Sequence, residues 1–91
     1  MDRLARRLFK LNDRIGSLDR EIRLVESELG HHRSLNEDAQ RDAEVGNYID
    51  REEAGLTQGD VRRFERTLAK LRQKRLELVA RRDELLGRLP D

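Results

Sequence analysis

The sequence contains no cysteine, one proline and three aromatic residues (Phe9, Tyr48 and Phe64) among its 91 residues. Without cysteine, disulfide bonds and thiolate chemistry are excluded. No apolar run approaches the roughly 18 residues of a membrane-spanning helix. The N-terminus has no apolar segment typical of a signal peptide, so we expect a cytoplasmic protein with no membrane partner.

The sequence also lacks the motifs of enzymes. It contains no isolated Ser-His-Asp set and no glycine-rich phosphate-binding loop that follows a strand. The adjacent residues His31 and His32 point in different directions on a helix, whereas a metal pair on one face needs a spacing of four. We therefore predict a non-enzyme with no catalytic residue, no metal site and no cofactor.

Long helices fit the composition, because 35% hydrophobic and 43% charged residues can form a narrow apolar stripe but not a globular core. The region 4–29 carries such a stripe, with spacings that alternate between four and three without a break. This spacing is the a/d pattern of a coiled-coil heptad, and it requires a partner helix. The stripe consists of Leu4, Leu8, Leu11, Ile15, Leu18, Ile22, Val25 and Leu29.

A second stripe follows after residue 60 and supplies that partner. It is interrupted by two arginines, and it reads Val61, Phe64, Leu68, Leu71, Arg75, Leu78, Arg82, Leu85 and Leu89. Leu76, Val79 and Leu86 lie beside this stripe and widen the apolar face, which is typical of an assembly of more than two helices. The alternative is that Arg75 and Arg82 extend their charged ends out of a two-helix seam.

The predicted fold is all-α, an antiparallel helical hairpin (coiled coil) with an elaborated acidic tip, either alone or as a dimer of hairpins. We predict one domain over residues 1–91, with helix one over about 2–29, a tip over 30–57 and helix two over about 58–88. Gly30 is the expected stop of helix one, and Leu89-Pro90 ends helix two. Within the tip, Ser34 and Glu37 form a capping-box pattern that predicts a short helix over about 35–45.

Charge is segregated along the chain although the net charge is only +1. Residues 30–59 contain seven acidic residues and three arginines, a net charge of −4, so the two flanking segments are basic. An acidic middle segment between basic arms suggests an electrostatic contact with a partner. The candidate interaction residues of the tip are Ser34, Glu37, Asp38 and Asp42.

Basic residues follow a spacing of four at the start of helix two. Such a row can follow a phosphate backbone, but the solvated face of any coiled coil has the same pattern. Nucleic acid is therefore a possible partner but not the favoured one. The candidate basic surface consists of Arg62, Arg63, Arg66, Lys70 and Lys74.

Two segments resemble the N-terminal coiled-coil domain of Gre-type transcript cleavage factors. Residues 34–43 read S-L-N-E-D-A-Q-R-D-A, beside the family's D-L-S-E-N-A-x-x-D-A tip, and residues 52–56 read E-E-A-G-L, beside its E-E-x-G-[FL] segment. The sequence departs from the pattern by Ser34 at the position of the family's Asp, by Asp38 in place of its Asn, and by about six extra residues between Ala43 and Arg51. The family's C-terminal domain is absent from this sequence.

The resemblance implies a long hairpin that inserts its acidic tip through the secondary channel of bacterial RNA polymerase and helps to hold a catalytic Mg²⁺. Because Ser34 replaces a key acid, we expect a polymerase-binding transcription modulator rather than a full cleavage factor. Two alternatives remain, a structural or adaptor coiled coil that forms homo-oligomers and docks other proteins, and a basic helical arm that binds nucleic acid. A reversal of the chain near Ser34 fits the family, whereas a reversal near Gly46-Asn47 fits a symmetric hairpin.

Overall fold

The computed structural model describes residues 2–89, which form two long antiparallel α-helices, α1 (Arg3–Val45) and α2 (Tyr48–Leu86). The helices pack along their full length into a rod of 68 × 16 × 16 Å. The predicted all-α hairpin is confirmed. Pro90, the expected helix terminator, lies outside the described residues, and α2 ends at Leu86.

The chain reverses at Gly46-Asn47, and the local side chains explain why it does so there. The Asn47 side chain accepts hydrogen bonds from the backbone amides of Ile49 and Asp50, and the Asp50 side chain accepts one from the Asn47 amide. This reciprocal capping box satisfies amide groups that the first turn of α2 leaves free. At the other end of the molecule, Asp2 caps α1 by accepting a hydrogen bond from the Ala5 amide at 2.7 Å.

The core is the seam that the two apolar stripes predict. One buried cluster consists of Leu11, Ile15, Leu78 and Leu85, near the chain ends. A second consists of Ile22, Leu29, Val61 and Leu68, nearer the turn. This core is thin, since no side chain within residues 2–89 is buried completely.

The predicted tip of short helical pieces is wrong, because both helices continue without interruption to the turn. The alternating spacing of three and four extends past Leu29 and before Val61, and it is occupied by small and polar residues. All of them are buried or half-buried: His32, Asn36, Ala39, Ala43, Asp50, Ala54 and Thr57. The seam therefore narrows toward the turn, where its buried residues are Ala39 and Ala54 rather than leucine or isoleucine.

Gly30 does not end α1, contrary to the expectation. A Cβ atom placed on Gly30 would meet no atom within 4 Å, so nothing in the packing requires glycine there. A glycine inside a helix costs about 1 kcal/mol relative to alanine, and the pairing of the seam on both sides of Gly30 offsets that cost. Likewise, Ser34 and Glu37 lie in the middle of α1 and start no helix.

The two arginines of the second stripe are half-buried at the seam. Arg75 is 40% exposed in its side chain, and its Nε donates a hydrogen bond to Asp19 Oδ1 on α1 at 2.5 Å. Arg82 is 31% exposed, and its Nε is buried without a hydrogen-bond partner, 3.5 Å from the carboxylate of Asp83. The seam therefore accommodates Arg75, whose charged end reaches a carboxylate, better than it accommodates Arg82.

Candidate functional site

The two sides of the seam differ in how their charges are arranged. On one side, Arg33 of α1 lies 3.6 Å from Glu65 of α2, and Glu26 lies 3.9 Å from Arg72. These are opposite charges that face each other across the two helices. We call this flank, which also carries the Arg75–Asp19 contact, the ion-pair side.

On the other flank, residues of the same charge face each other near both ends of the rod. Every seventh residue of a coiled-coil helix falls on one line beside the seam, and α1 presents there Arg7, Arg14, Glu21, Glu28, Leu35 and Asp42. The antiparallel line on α2 runs Arg88, Arg81, Lys74, Thr67, Asp60 and Glu53. Both lines change from basic at the chain ends to acidic near the turn, and we call this flank the like-charge side.

The like-charge side contains a basic groove in the open half of the hairpin, which is the half that holds the chain ends. Leu11, Leu78 and Leu85 form the floor of this groove. Two of its cations come from opposite helices at the same level, Arg14 from α1 and Arg81 from α2. The cations along the groove are Arg7, Lys10, Arg14, Arg81 and Arg88, and its one carboxylate, Glu84, lies 2.8 Å from Arg88.

The turn half of the same side contains an acidic groove. Asp42 of α1 and Glu53 of α2 line a shallow depression together with Asp38. Ala39 and Thr57 form its floor, and Leu35 lies at its edge. Asp38 is paired with Arg41 one turn along α1, whereas Asp42 and Glu53 bring two negative charges to the same depression.

The candidate tip residues do not form one site at the end of the molecule. Asp38 and Asp42 share the acidic groove, but Glu37 lies on the ion-pair side and Ser34 lies on the outer face of α1. Ser34 is twelve residues before Gly46, so it lies about 18 Å from the turn along the helix axis. A reversal at Gly46-Asn47 fits the symmetric hairpin rather than the reversal near Ser34 that the resemblance implies.

The candidate basic residues of α2 do not form a single surface either. All five are exposed, but successive members of a row with a spacing of four rotate by about 40° around the helix axis. As a result, Arg62 lies on the ion-pair side, Arg66 on the outer face and Lys74 on the like-charge side. Arg63, which is paired with Asp60, and Lys70 lie on the like-charge side together with Lys74.

Exposed apolar side chains surround the turn. Val45 is 90% exposed, Tyr48 70% and Ile49 66%. Five acidic residues and two arginines, Arg41 and Arg51, flank them in sequence, so an apolar surface with a net acidic surround occupies the end of the rod. The acidic residues are Asp42, Glu44, Asp50, Glu52 and Glu53.

Other exposed apolar residues divide between the two sides of the stalk. Leu24, Leu35 and Leu56 lie on the like-charge side, in the middle of the rod and toward the turn. Phe9, Leu76 and Leu86 lie on the ion-pair side of the open half, with Val79 half-buried next to them. The widened apolar face that the sequence predicts therefore exists, and Phe9 extends it.

The two histidines lie on α1 rather than in a loop. His31 is exposed, whereas His32 occupies a seam position and stacks on Phe64 with ring centroids 4.5 Å apart. Nε2 of His32 lies 4.0 Å from the carboxylate of Glu28. Within residues 2–89, no group of three or more histidine, acidic or cysteine side chains is arranged to hold a metal ion.

Sequence reasoning missed the basic and acidic grooves. The signal that could have found them is the seven-residue repeat read separately on each flank of the seam, which shows both lines changing sign along the chain. No helix among the described residues is long and apolar enough to cross a membrane. No family model, curated protein or solved structure matches the chain.

Proposed function

We propose that this chain is a non-catalytic protein-interaction module that presents the turn end of a helical hairpin to a protein partner. The observation that carries this proposal is the exposure of Val45, Tyr48 and Ile49 next to one another at the end of the rod. Exposed apolar clusters with a polar surround are typical of protein-binding surfaces. Both helices converge on this end, so the surface is held on a long helical support.

The acidic residues around the turn define the complementary surface of the partner. A partner that fits this end combines an apolar pocket for Tyr48 with a basic rim for Glu44 and Glu52. Charge complementarity of this kind raises the rate of association and disfavours wrong partners. Aromatic residues such as tyrosine often contribute a large share of the binding energy in protein interfaces.

Capture of partners from an extract of the native host tests the proposal. The bait is the full chain with a tag at a terminus, and the variant carries Val45→Ser, Tyr48→Ser and Ile49→Ser, which are all exposed positions. Leu76→Ser is the control, because Leu76 is 62% exposed on the stalk. We expect the triple variant to lose a captured protein that both wild type and control retain, and identical capture by all three would contradict the proposal.

Bacterial RNA polymerase is the partner that the sequence resemblance suggests, and it remains a hypothesis. Its support is the acidic pair Asp38 and Asp42 near the turn end and the narrow cross-section of the rod, 16 × 16 Å. The test is pull-down with core polymerase, repeated with Glu37→Ala/Asp38→Ala. Polymerase binding and transcription that do not change in the double variant would remove Glu37 and Asp38 from the mechanism.

Nucleic-acid binding is a second candidate function, and the basic groove of the open half favours it over the row on α2. Arg14 and Arg81 bring charges from both helices to one place, whereas the row on α2 winds around the helix. Phosphate contacts predict a steep loss of affinity with salt. We therefore expect Arg14→Ala/Arg81→Ala to weaken RNA or DNA binding more than Arg66→Ala/Lys70→Ala, and no binding at low salt would exclude this function.

A further inference from the structure

We propose that two copies of this chain associate antiparallel through their like-charge sides, so that the basic groove of each copy covers the acidic groove of the other. This inference goes beyond the proposed function, because it concerns the flank of the stalk, although Asp42 and Glu53 also belong to the acidic surround of the turn. Within the single hairpin, like charges repel each other on this flank. Arg14 faces Arg81, and Asp42 faces Glu53, and neither pair meets an opposite charge across the seam.

When the like-charge sides of two copies meet in a two-fold dimer, the position of the axis determines which residues face each other. When the axis lies in the interface and perpendicular to the rod, α1 packs against α1 of the other copy, and α2 packs against α2. Val25 of α1 and Leu71 of α2 pack on the same core cluster and mark the level halfway along the rod. An axis at this level passes between residues 24 and 25 of α1.

This one placement brings opposite charges together along both helices. On α1, Arg7 of one copy lies opposite Asp42 of the other, and Lys10 lies opposite Asp38. On α2, Arg88 lies opposite Glu53, and Arg81 lies opposite Asp60. Each contact occurs twice in the dimer by symmetry. Asp38, Asp60 and Arg88 already have partners in the single hairpin (Arg41, Arg63 and Glu84), so the largest gain comes from Arg7 and Asp42, which the single hairpin leaves next to like charges.

The centre of the interface is apolar. Leu24 lies on the like-charge side at the midpoint of α1 and is 68% exposed in the single chain, so it meets its own symmetry mate at the axis. Next to this contact, Glu21 of one copy approaches Glu28 of the other copy. Lys74 lies at the same level and offsets the repulsion between the two carboxylates. Farther out, the aliphatic stem of Arg14 covers Leu35 of the other copy.

The size of the interface and the thin core both favour a second copy as the occupant. One flank of a rod of 68 × 16 Å offers on the order of 1,000 Å² per copy, comparable with the roughly 800 Å² per partner of a standard stable interface. A two-helix core without a completely buried side chain also gains from a four-helix assembly. The like-charge side changes from basic to acidic along the rod, so a different partner protein would need the opposite change along its own surface. A second copy in the antiparallel orientation supplies that change by symmetry.

Cross-linking of single cysteine variants tests which flank forms the interface. The natural chain has no cysteine, so Leu24→Cys and Leu76→Cys each introduce one thiol at positions of similar exposure, 68% and 62%, on opposite flanks. With a short bis-maleimide, we expect Leu24→Cys to give a covalent dimer and Leu76→Cys to remain single. Cross-linking of Leu76→Cys alone would overturn the proposal in favour of a dimer through the ion-pair side.

A charge-swap experiment tests the pairing itself by sedimentation. Arg7→Glu/Arg88→Glu reverses two of the five cations of the basic groove, and Asp42→Arg/Glu53→Arg reverses two of the three acidic residues of the acidic groove. We expect each variant alone to self-associate at least about tenfold more weakly than wild type, and an equal mixture of the two to form a heterodimer with affinity close to wild type. The matched control, Arg23→Glu/Arg62→Glu, reverses two charges outside the proposed interface and should leave self-association unchanged.

The charge-swap experiment has one outcome that supports the antiparallel pairing and two that would overturn it. Recovery in the mixture supports the antiparallel pairing, because a merely misfolded variant could not be restored by a second variant. Wild-type sedimentation as a monomer at high concentration would overturn the proposal. Wild-type dimers that are unaffected by either charge variant would overturn it as well, since the like-charge side would then lie outside the interface.

Discussion

The hydroxyl of Thr57 on α2 donates a hydrogen bond to Asn36 Oδ1 on α1 at 2.9 Å, across the seam. Gln40 Nε2 donates to the same oxygen at 3.1 Å and to the Ala54 carbonyl at 3.0 Å. A polar residue at a core position of a coiled coil lowers stability but fixes register. This network therefore sets how α1 and α2 align in the turn half, where the seam contains few large side chains.

Replacement of Asn36 tests this role. We expect Asn36→Leu to raise the free energy of unfolding by about 1 kcal/mol, because a half-buried polar side chain becomes apolar. The same change should allow larger or misaligned assemblies, since the register loses its polar contact. Thermal unfolding and sedimentation measure the two effects, and a more stable variant with unchanged assembly would show that Asn36 does not specify the pairing.

Glycine at position 46 is required by close packing, and this requirement distinguishes it from other glycines of the chain. A Cβ atom at Gly46 would lie 2.5 Å from the Asp42 carbonyl oxygen and would collide with the Asp50 carboxylate of the capping box. We expect Gly46→Ala to lower the free energy of unfolding by about 1 kcal/mol through loss of the cap. Denaturant unfolding measures this change.

Gly30, Gly55 and Gly59 provide the matched comparison. A Cβ atom at any of them would meet nothing within 4 Å, and all three lie inside helices. Each glycine-to-alanine change should therefore raise the free energy of unfolding by about 0.5–1 kcal/mol. Destabilisation by Gly30→Ala would instead indicate that this glycine allows a close approach of another chain.

The contact between Arg75 and Asp19 can be separated from the burial of the arginine stem. Because both side chains are at least a third exposed, we expect Asp19→Ala to cost no more than about 1 kcal/mol. Arg75→Leu should stabilise the hairpin by about 1–2 kcal/mol, since it restores an apolar seam position. In the Arg75→Leu background, Asp19→Ala should not change the free energy of unfolding. If it still lowered that free energy, Asp19 would stabilise the hairpin through a contact other than the one with Arg75.

Two leucines of α1 should differ sharply in their contribution to stability. Leu29 is 3% exposed in the second core cluster, so Leu29→Ala should cost about 2–4 kcal/mol. Leu24 is 68% exposed, so Leu24→Ala should change the unfolding of the single hairpin by less than about 0.5 kcal/mol. Unfolding measured at low protein concentration checks both values without a contribution from self-association.

The sequence predicted the seam well, because large apolar residues at alternating spacings of three and four fall on one side of a helix and are buried when two helices pair. Leu11, Ile15, Val61 and Leu85 were all assigned to the seam, and all are buried. The pattern failed beyond Leu29, where hydrophobicity no longer marks the buried positions. Asn36 and Ala39 occupy seam positions, but a polar or a small residue carries no signal of burial when it is read alone.

Local rules misled the prediction of the middle segment for a related reason. Gly30 resembles a helix stop and Ser34 resembles an N-cap, but both are weak preferences of about 1 kcal/mol that a continuous pairing of two helices outweighs. The cap at Asn47 forms because no tertiary pairing competes at the reversal. The grooves of the like-charge side could not be read from either helix alone, since they require the antiparallel register between Arg14 and Arg81 or between Asp42 and Glu53.

The narrowing of the seam toward the turn makes the rod mechanically uneven. Alanines at Ala39 and Ala54 make far fewer dispersion contacts than the leucine and isoleucine layers near the chain ends. Amide hydrogen exchange should therefore be fastest around the turn and slowest in the core cluster that contains Ile15 and Leu78. The hairpin is then stiff along its stalk and compliant at its turn end, where the two helices can spread by small amounts to fit the surface they meet.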